Sequence, residues 1–346
     1  MVRKIISLFL ATLLLAGCGI KVENQEMRRE KTQYQASFLT LFDTVTTIIG
    51  YAQTKEEFGE LTDKIYDSLE RYHQLFDIYQ EYEGNNLKTV NDMAGIAPVV
   101  VEMEIIDLLL DCKTYYRLTE GKVNVAMGSV LRLWHEAREA GIEDPLQAYL
   151  PDENDLKEAF KHCNIEDVVI DKEASTVYLK DPNMSLDVGA VAKGWATEKV
   201  CRNLPEGILI SVGGNVRSTG PKPENRTPWV VGIQSPFGDQ SEFLHTLYVN
   251  RESVVTSGDY QRYYTVEGKT YHHLIDPETL YPGNRWKSVS IVCEDSGLAD
   301  ALSTALFLLS KEEGEKILDN CNALAMWVAS EEEMYYSEGF EMIIKR

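Results

Sequence analysis

The apolar positions along the chain predict several helices that pack against a common core. In SGLADALSTALFLLS, residues 296–310, apolar side chains recur every three or four positions, which is the period of a helix with one buried face. The same kind of pattern predicts further helices at about residues 56–79, 102–119, 152–162, 189–203 and 311–320.

Strands are predicted mainly in the middle and the C-terminal half of the chain. Residues 37–51 (SFLTLFDTVTTIIGY) predict one strand, and residues 207–220 (GILISVGGNVRSTG) predict an apolar strand that ends at two glycines. Residues 254–284 predict a hairpin whose arms meet at the turn Glu267-Gly268. This mixture predicts an α+β fold with mixed sheets flanked by helices.

The N-terminus predicts an exported protein. Two basic residues precede an apolar run that is too short for a normal membrane span, so residues 1–17 are predicted to be a secretory signal. The tetrapeptide LAGC, which ends at Cys18, resembles the lipobox of bacterial lipoproteins, in which the signal is cut before an acylated cysteine. A plain signal peptide with an incidental cysteine is the alternative. Residues 18–36 are then a polar tether, and residues 37–346 are one large domain of two closely packed lobes.

Charge and cysteine content narrow the possible functions. The chain has 34 Lys and Arg against 55 Asp and Glu, a formal net charge of −21, which argues against nucleic acid as a partner. The five cysteines after Cys18 are widely spaced and form no CxxC pattern, so we predict small core residues instead of a disulfide framework.

A polar pair interrupts the helix predicted at residues 296–310. Asp300 and Thr304 are four residues apart, so the carboxylate and the hydroxyl lie one above the other on a single helix face. Two such oxygens are half of a Mg²⁺ site, because this cation prefers carboxylate and neutral oxygen ligands and takes others from phosphates. In the alternative interpretation, Asp300 faces solvent and Thr304 bonds back to the helix carbonyls.

Two glycine-containing turns are candidate phosphate sites. In SLDVGAVAKGWATEKVCRNL, residues 185–204, Asp187 can cap a helix and Lys193 lies within its first two turns, so amide groups and an ammonium could converge on an anion. Gly213 and Gly214 mark a turn that permits close backbone contact. Ordinary strand-to-helix and hairpin turns without a ligand are the alternatives.

The predicted hairpin carries two adjacent histidines. His272 and His273 face opposite sides of a strand, so at most one of them points into a given pocket. A histidine there would be the natural proton acceptor if a hydroxyl group must be activated. A hydrogen-bonded core histidine is the alternative.

Five motifs, in their order along the chain, resemble those of the ApbE family, the FAD:protein FMN transferases. They are LDVGAVAKGWA, SVGGN, TSGDYQRYY, HHLIDPETL and ADALSTALF. The resemblance runs from about residue 37 to the C-terminus and implies an ApbE-like fold. It also implies that Mg²⁺-bound FAD is split at its pyrophosphate, that FMN passes to a threonine or serine hydroxyl of an acceptor flavoprotein, and that AMP leaves.

The resemblance also implies roles for individual residues. Asp300 and Thr304 would bind Mg²⁺ through their side chains and Ala190 through its carbonyl, while His273 would deprotonate the acceptor hydroxyl. The implied contacts with the flavin nucleotide are Asn124, Met127, Asp187, Lys193, Gly214, Ser257 and Asp276. Asn91 resembles a polar position near the metal. The chain departs from many members at residues 123–125, which read Val-Asn-Val instead of Phe-Asp-Pro, and at Leu280, where many have glycine.

Two other functions fit the same residues. One is an FAD pyrophosphatase that yields FMN and AMP, and the other is a flavin-binding lipoprotein without turnover. For a transferase, the resemblance implies exported acceptors, such as subunits of sodium-pumping or Rnf-type redox complexes or extracellular flavoprotein reductases. A lipid anchor at Cys18 would hold the enzyme on the membrane, facing the extracytoplasmic side.

Overall fold

The computed structural model describes residues 31–238 and 242–346 of the chain. The α-helices in this part are α1 (Lys55–Phe76), α2 (Leu87–Asp92), α3 (Met103–Leu118), α4 (Gly128–Glu143), α5 (Glu153–Phe160), α6 (Ala192–Cys201), α7 (Ser296–Leu308) and α8 (Lys311–Leu318). The strands are β1 (Thr32–Leu41), β2 (Thr44–Ala52), β3 (Val99–Val100), β4 (Val168–Asp171), β5 (Thr176–Leu179), β6 (Leu209–Val212), β7 (Asn215–Ser218), β8 (Trp229–Gln234), β9 (Phe243–Val249), β10 (Ser253–Gly258), β11 (Tyr263–Val266), β12 (Lys269–His272), β13 (Ser288–Cys293), β14 (Ala323–Val328) and β15 (Met334–Tyr336). The predicted α+β class is confirmed.

An antiparallel sheet of eight strands forms the centre, in the order β1-β2-β6-β7-β10-β13-β14-β15. Because successive side chains of a strand face opposite sides, Val255 and Ile291 join the core shared with the helices, whereas Val254 and Val292 join a core beneath the ribbon β8-β9. The sheet is therefore covered on both faces, and β13 is buried at every position.

Helix α7 packs against β10, β13 and α6. The Asp295 side chain caps it by accepting a hydrogen bond of 2.9 Å from the Leu298 amide. Leu302 and Leu306 are fully buried, as the periodicity of residues 296–310 predicts. The other helices predicted from periodicity correspond to α1, α3, α5, α6 and α8, with ends that differ by a few residues.

A smaller core joins α4, α5 and the hairpin β11-β12, with Trp134, Leu156 and Tyr264 buried in it. The Trp134 indole N–H donates a 2.9 Å hydrogen bond to the carbonyl of Leu280. Leu280 has a φ of 60°, which is the left-handed conformation. Glycine adopts this conformation without strain, but the residue here is a leucine.

Three sequence predictions about local structure were wrong. Residues 37–51 do not form one strand, because Phe42 and Asp43 (φ 54° and 51°) make a tight turn between β1 and β2. Since β1 begins at Thr32, the fold starts before the predicted boundary at Ser37. In the hairpin predicted at residues 254–284, only β11 and β12 pair around Glu267-Gly268, whereas β10 belongs to the main sheet.

Helix α4 was missed, although its apolar residues follow the helical period. Val130, Trp134 and Ala137 are all buried on one face. The stretch had been interpreted only as part of a nucleotide pocket.

Residues Lys31–Arg346 form one compact unit. Its five cysteines form no disulfide and four of them are buried, which fits their prediction as core residues. Within residues 31–238 and 242–346, no helix has the length and apolar character needed to cross a membrane. The predicted signal peptide and Cys18 lie outside the described residues.

Candidate active site

The Asp300 carboxylate lies where α6 and α7 cross. A Cβ atom added to Gly194 would lie 2.3 Å from the Ser296 carbonyl oxygen and 2.6 Å from Cβ of Asp300, so only glycine permits this approach. The Gly194 amide and Nδ2 of Asn215 each donate a 2.9 Å hydrogen bond to Oδ2 of Asp300. Asp300 is only 5% exposed, so the alternative in which it faces solvent does not apply.

Positive charge is concentrated around this buried carboxylate. Burial raises the pKa of Asp300, whereas Lys193, the Gly194 amide and Asn215 oppose that shift. Nζ of Lys193 lies 4.0 Å from Oδ2 and also donates to the Gly189 carbonyl at 3.4 Å. Both hydrogen bonds and the ion pair reach Oδ2. The other carboxylate oxygen, Oδ1, therefore receives no hydrogen bond from any described residue.

Two further oxygens predicted as metal ligands also have no hydrogen-bond partner. The Thr304 hydroxyl, one helical turn after Asp300, and the Ala190 carbonyl take part in no hydrogen bond with a described residue. Across residues 31–238 and 242–346, no group of three or more His, Cys, Asp or Glu side chains could hold a metal. One carboxylate and two neutral oxygens fit a hard cation that takes its remaining ligands from phosphates.

Asp187 lies on the turn that leads into α6. Its carboxylate accepts a 2.8 Å hydrogen bond from the Gly189 amide, so it caps this turn and not α6 itself, which begins at Ala192. The preceding residue, Leu186, is held at both backbone groups by the side chain of Asn91, at 2.7 and 3.0 Å. Asn91 therefore positions the segment that leads into α6.

The anion site predicted at the start of α6 is only partly present. Lys193 is in place, but the Gly194 amide is occupied by Asp300. Burial raises the pKa of Asp187, and the nearby charges of His135, Arg262 and Lys193 counteract that shift. These basic groups are the ones available to an anionic ligand beside Asp187.

The two adjacent histidines have different environments, as the alternation of a strand predicts. His272 is buried against the Phe307 ring, with centroids 5.4 Å apart, and its Nε2 donates to the Gly283 carbonyl at 2.6 Å. Its Nδ1 accepts from the Leu274 amide at 3.2 Å, so both ring nitrogens of His272 are occupied. His272 is therefore a core residue.

His273 is only partly buried, and charged groups of the site surround it. Its Nδ1 lies 3.3 Å from the Arg262 carbonyl, which can only accept, so Nδ1 carries the proton and Nε2 keeps its lone pair. Burial, together with the positive charges of Arg262 and Lys193, lowers the pKa of His273 to about 3. The imidazole is therefore neutral at physiological pH, and Nε2 is its unprotonated nitrogen.

Two residues predicted to contact the nucleotide have structural partners at the start of α4. Asn124 donates to the Cys163 carbonyl at 2.8 Å and accepts from the Ala126 amide at 3.0 Å. Met127 is 3% exposed within the smaller core. Both side chains stabilise the start of α4, and their contacts with the nucleotide stay predictions.

Three further predicted contacts differ in their surroundings. Asp276 forms a 2.9 Å ion pair with the buried Lys122, which ties two loops together. The Ser257 hydroxyl contacts that of Ser303 at 2.8 Å, so Ser257 joins β10 to α7 close to Asp300. Gly214 has a φ of 92° in the two-residue hairpin turn between β6 and β7, and its contact with the nucleotide stays a prediction.

Sequence reasoning missed Asn215, although it is the last letter of the motif SVGGN. It also missed His135, because α4 was not predicted, and Tyr79, whose ring stacks on His135 with centroids 5.4 Å apart. Burial, and the negative charge of Asp187, raise the pKa of Tyr79 to about 12, which places this aromatic pair beside the turn of Asp187.

A cavity of about 500 Å³ lies elsewhere, beside Glu198, Arg217 and Arg251. Most of its charged groups are paired with one another, including Glu198 with Arg217 at 2.9 Å and Arg251 with Glu206. We therefore place the candidate active site at Asp300 and His273, and not in this cavity.

Comparisons with known proteins identify the family of this chain. The sequence profile of the ApbE family matches residues 42–327. A Klebsiella pneumoniae protein named FAD:protein FMN transferase is 31% identical over 259 residues, which cover 73% of this chain and 77% of that protein. A Treponema pallidum protein of the same name is 35% identical over 249 residues, which cover 67% of each.

Solved structures show the same fold. The crystal structure of the ApbE protein from Thermotoga maritima has a TM-score of 0.79 and 28% identity, over 91% of this chain and 100% of that one. The flavin transferase ApbE from Vibrio cholerae has a TM-score of 0.76 at 23% identity, over 90% of this chain and 99% of that one.

Proposed function

Because the chain belongs to the ApbE family and is thus a transferase, we propose that it transfers FMN from FAD to a threonine or serine hydroxyl of an acceptor flavoprotein, with Mg²⁺ bound at Asp300. The observation that carries this proposal is the buried Asp300 carboxylate, with one oxygen held by Gly194 and Asn215 and the other without a partner among the described residues.

The residues present suit the metal that this reaction requires. Asp300, Thr304 and the Ala190 carbonyl would hold Mg²⁺ as hard oxygen ligands. When bound, the cation neutralises charge on the pyrophosphate and on the departing phosphate. Lys193 places an ammonium next to the same carboxylate and can bind a phosphate oxygen there.

His273 supplies the proton acceptor. The acceptor hydroxyl oxygen attacks the FMN phosphorus, the bond from that phosphorus to the bridging oxygen breaks, and AMP leaves with the bridging oxygen. The hydroxyl proton passes to Nε2 of His273, because Nδ1 is engaged with the Arg262 carbonyl. That contact also fixes the orientation of the ring.

A product assay tests the proposed reaction. The full chain is incubated with FAD, Mg²⁺ and a threonine-bearing acceptor flavoprotein, and the acceptor mass and released AMP are measured. We expect one FMN on the acceptor for each AMP. AMP and free FMN without modified acceptor would identify a pyrophosphatase, and FAD bound without any product would identify a flavin-binding protein.

The protonation of His273 gives a pH prediction. An unperturbed histidine has a pKa of about 6.5, whereas burial lowers that of His273 to about 3. We expect its imidazole NMR signals, assigned by comparison with His273→Gln, to stay at neutral-form positions from pH 8 down to about pH 5. A titration midpoint near 6.5 would contradict the environment described here.

The same shift has a defined effect on stability. Between its folded and unfolded pKa values, His273 binds a proton only in the unfolded state. Its contribution to the free energy of unfolding is therefore fully present above about pH 6.5 and is lost progressively as the pH falls towards 3.

We also propose that the enzyme is anchored by a lipid on Cys18 and acts on exported acceptors, such as redox-complex subunits or extracellular reductases. Cys18→Ala should release the protein from the membrane fraction, because the acylated thiol is the anchor proposed here. Fractionation and immunoblotting measure this release. A variant that stays in the membrane fraction after a high-salt wash would rule the anchor out.

A further inference from the structure

Two cross-links of the same design join α6, α7 and β7. In the first, Asp300 of α7 accepts hydrogen bonds from the Gly194 amide of α6 and from Asn215 of β7, each 2.9 Å long. The second is formed by Glu198, Ser296 and Arg217. Here Glu198 of α6 accepts from the Ser296 amide of α7 at 3.0 Å and from Nε of Arg217 on β7 at 2.9 Å.

The two cross-links are one helical turn apart on each helix. Glu198 follows Gly194 by four residues, and Asp300 follows Ser296 by four residues, so each pair lies on one helix face. Asn215 and Arg217 are two residues apart on β7, and side chains with that spacing project from the same face of a strand. Together the cross-links fix how far α6 can slide along α7.

The second cross-link is buried and charged. The side chains of Glu198 and Arg217 are 6% and 7% exposed, and the other carboxylate oxygen of Glu198 accepts from Nε of Arg202 at 2.9 Å. Both oxygens of Glu198 are therefore satisfied, which is the condition under which a buried ion pair selects one geometry. Arg217 is further held by the carbonyls of Ser218 and Arg251.

We propose that Glu198 and Arg217 are positioning residues for the metal site, an inference that rests on the proposed role of Asp300. The pair holds the start of α7 against α6, so that the Gly194 amide and Lys193 meet Oδ2 of Asp300 while Oδ1 is left for the cation. Neither residue touches the reacting groups.

Conservative replacements test this role. Arg217→Lys keeps the charge but loses the planar guanidinium, and Glu198→Gln keeps the shape but loses the charge. Replacing an outer partner of a metal ligand typically costs about 10- to 100-fold in metal affinity. Because Glu198 and Arg217 act on Asp300 only through the helices, we expect Mg²⁺ binding, measured by calorimetry with FAD present, to weaken by up to about tenfold in each variant.

Kinetics separate positioning from general loss of structure. The Mg²⁺ concentration for half-maximal transfer should rise in both variants, while kcat at saturating Mg²⁺ stays near the wild-type value. Val249→Ala is the matched control, because Val249 is fully buried in the core on the opposite sheet face. It should lower the melting temperature and leave Mg²⁺ affinity unchanged.

The outcomes distinguish this inference from the proposed function. Wild-type Mg²⁺ affinity in a folded Arg217→Lys or Glu198→Gln variant would overturn the positioning role, and so would a fall in kcat that excess Mg²⁺ does not restore. If the wild type and Asp300→Asn bind Mg²⁺ equally, the metal site at Asp300 is wrong instead. Weaker Mg²⁺ binding in Arg217→Lys, Glu198→Gln and Asp300→Asn, but not in Val249→Ala, supports both the positioning role and the metal site at Asp300.

Discussion

Asp300→Asn is expected to abolish most Mg²⁺-dependent FMN transfer while leaving the protein folded. The amide keeps the size of the carboxylate and can still accept hydrogen bonds from Gly194 and Asn215, but it removes the negative charge that a hard divalent cation needs. We expect Mg²⁺ affinity to fall by at least about 100-fold, because losses of ten- to hundredfold already follow changes in outer partners of a ligand. Calorimetry with FAD present and a parallel transfer assay measure the two effects.

Thr304→Val is the matched comparison for this prediction. It replaces a neutral oxygen by a methyl group of similar size, so it should weaken Mg²⁺ binding less than Asp300→Asn does. Excess Mg²⁺ should then rescue the threonine variant in part and the aspartate variant poorly. If Asp300 and Thr304 are ordinary helix positions, both variants transfer FMN at a near-normal rate and their free energy of unfolding changes by no more than about 1 kcal/mol. Full activity of Asp300→Asn at sub-millimolar Mg²⁺ would falsify the metal site.

His273→Ala is expected to bind FAD and to lose most of its transfer activity. Removal of a general base typically costs about two to four orders of magnitude in rate. The loss should appear in the single-turnover rate of transfer, whereas FAD affinity, measured by calorimetry, should change little.

The neighbouring histidine provides the control. His272 lies against Phe307 and donates to the Gly283 carbonyl, so His272→Ala should reduce stability and leave the rate of the folded enzyme near normal. Thermal denaturation and the single-turnover rate separate the two effects. A folded His272→Ala that loses more activity than His273→Ala would assign the proton acceptor to the wrong residue, and equal small effects would remove that role from both.

Some residues of the candidate site could be found from the sequence because they lie close together along the chain. Asp300 and Thr304 are joined by helical spacing, and His272 and His273 by strand alternation, so each pair could be placed before any tertiary structure was known. The role of Ala190 came from the family resemblance. Lys193 was also indicated by its position near the start of a predicted helix, and the structure places it beside Asp300. The nucleotide contacts implied for Asn124 and Met127 stay predictions. In the structure Asn124 donates to the Cys163 carbonyl, and Met127 packs in the smaller core.

The sequence by itself determined the α+β class, most of the helices, the family and the principal chemical groups, because periodicity and short motifs depend on neighbours within one or two turns. Only the tertiary structure decided which groups meet. Asn215 and Gly194 reach Asp300 across 85 and 106 positions of the chain, and Glu198 reaches Ser296 across 98. Such contacts are created by the packing of α6 and α7 against the sheet. No local pattern records them, because each partner taken alone is an ordinary residue on its own helix or strand.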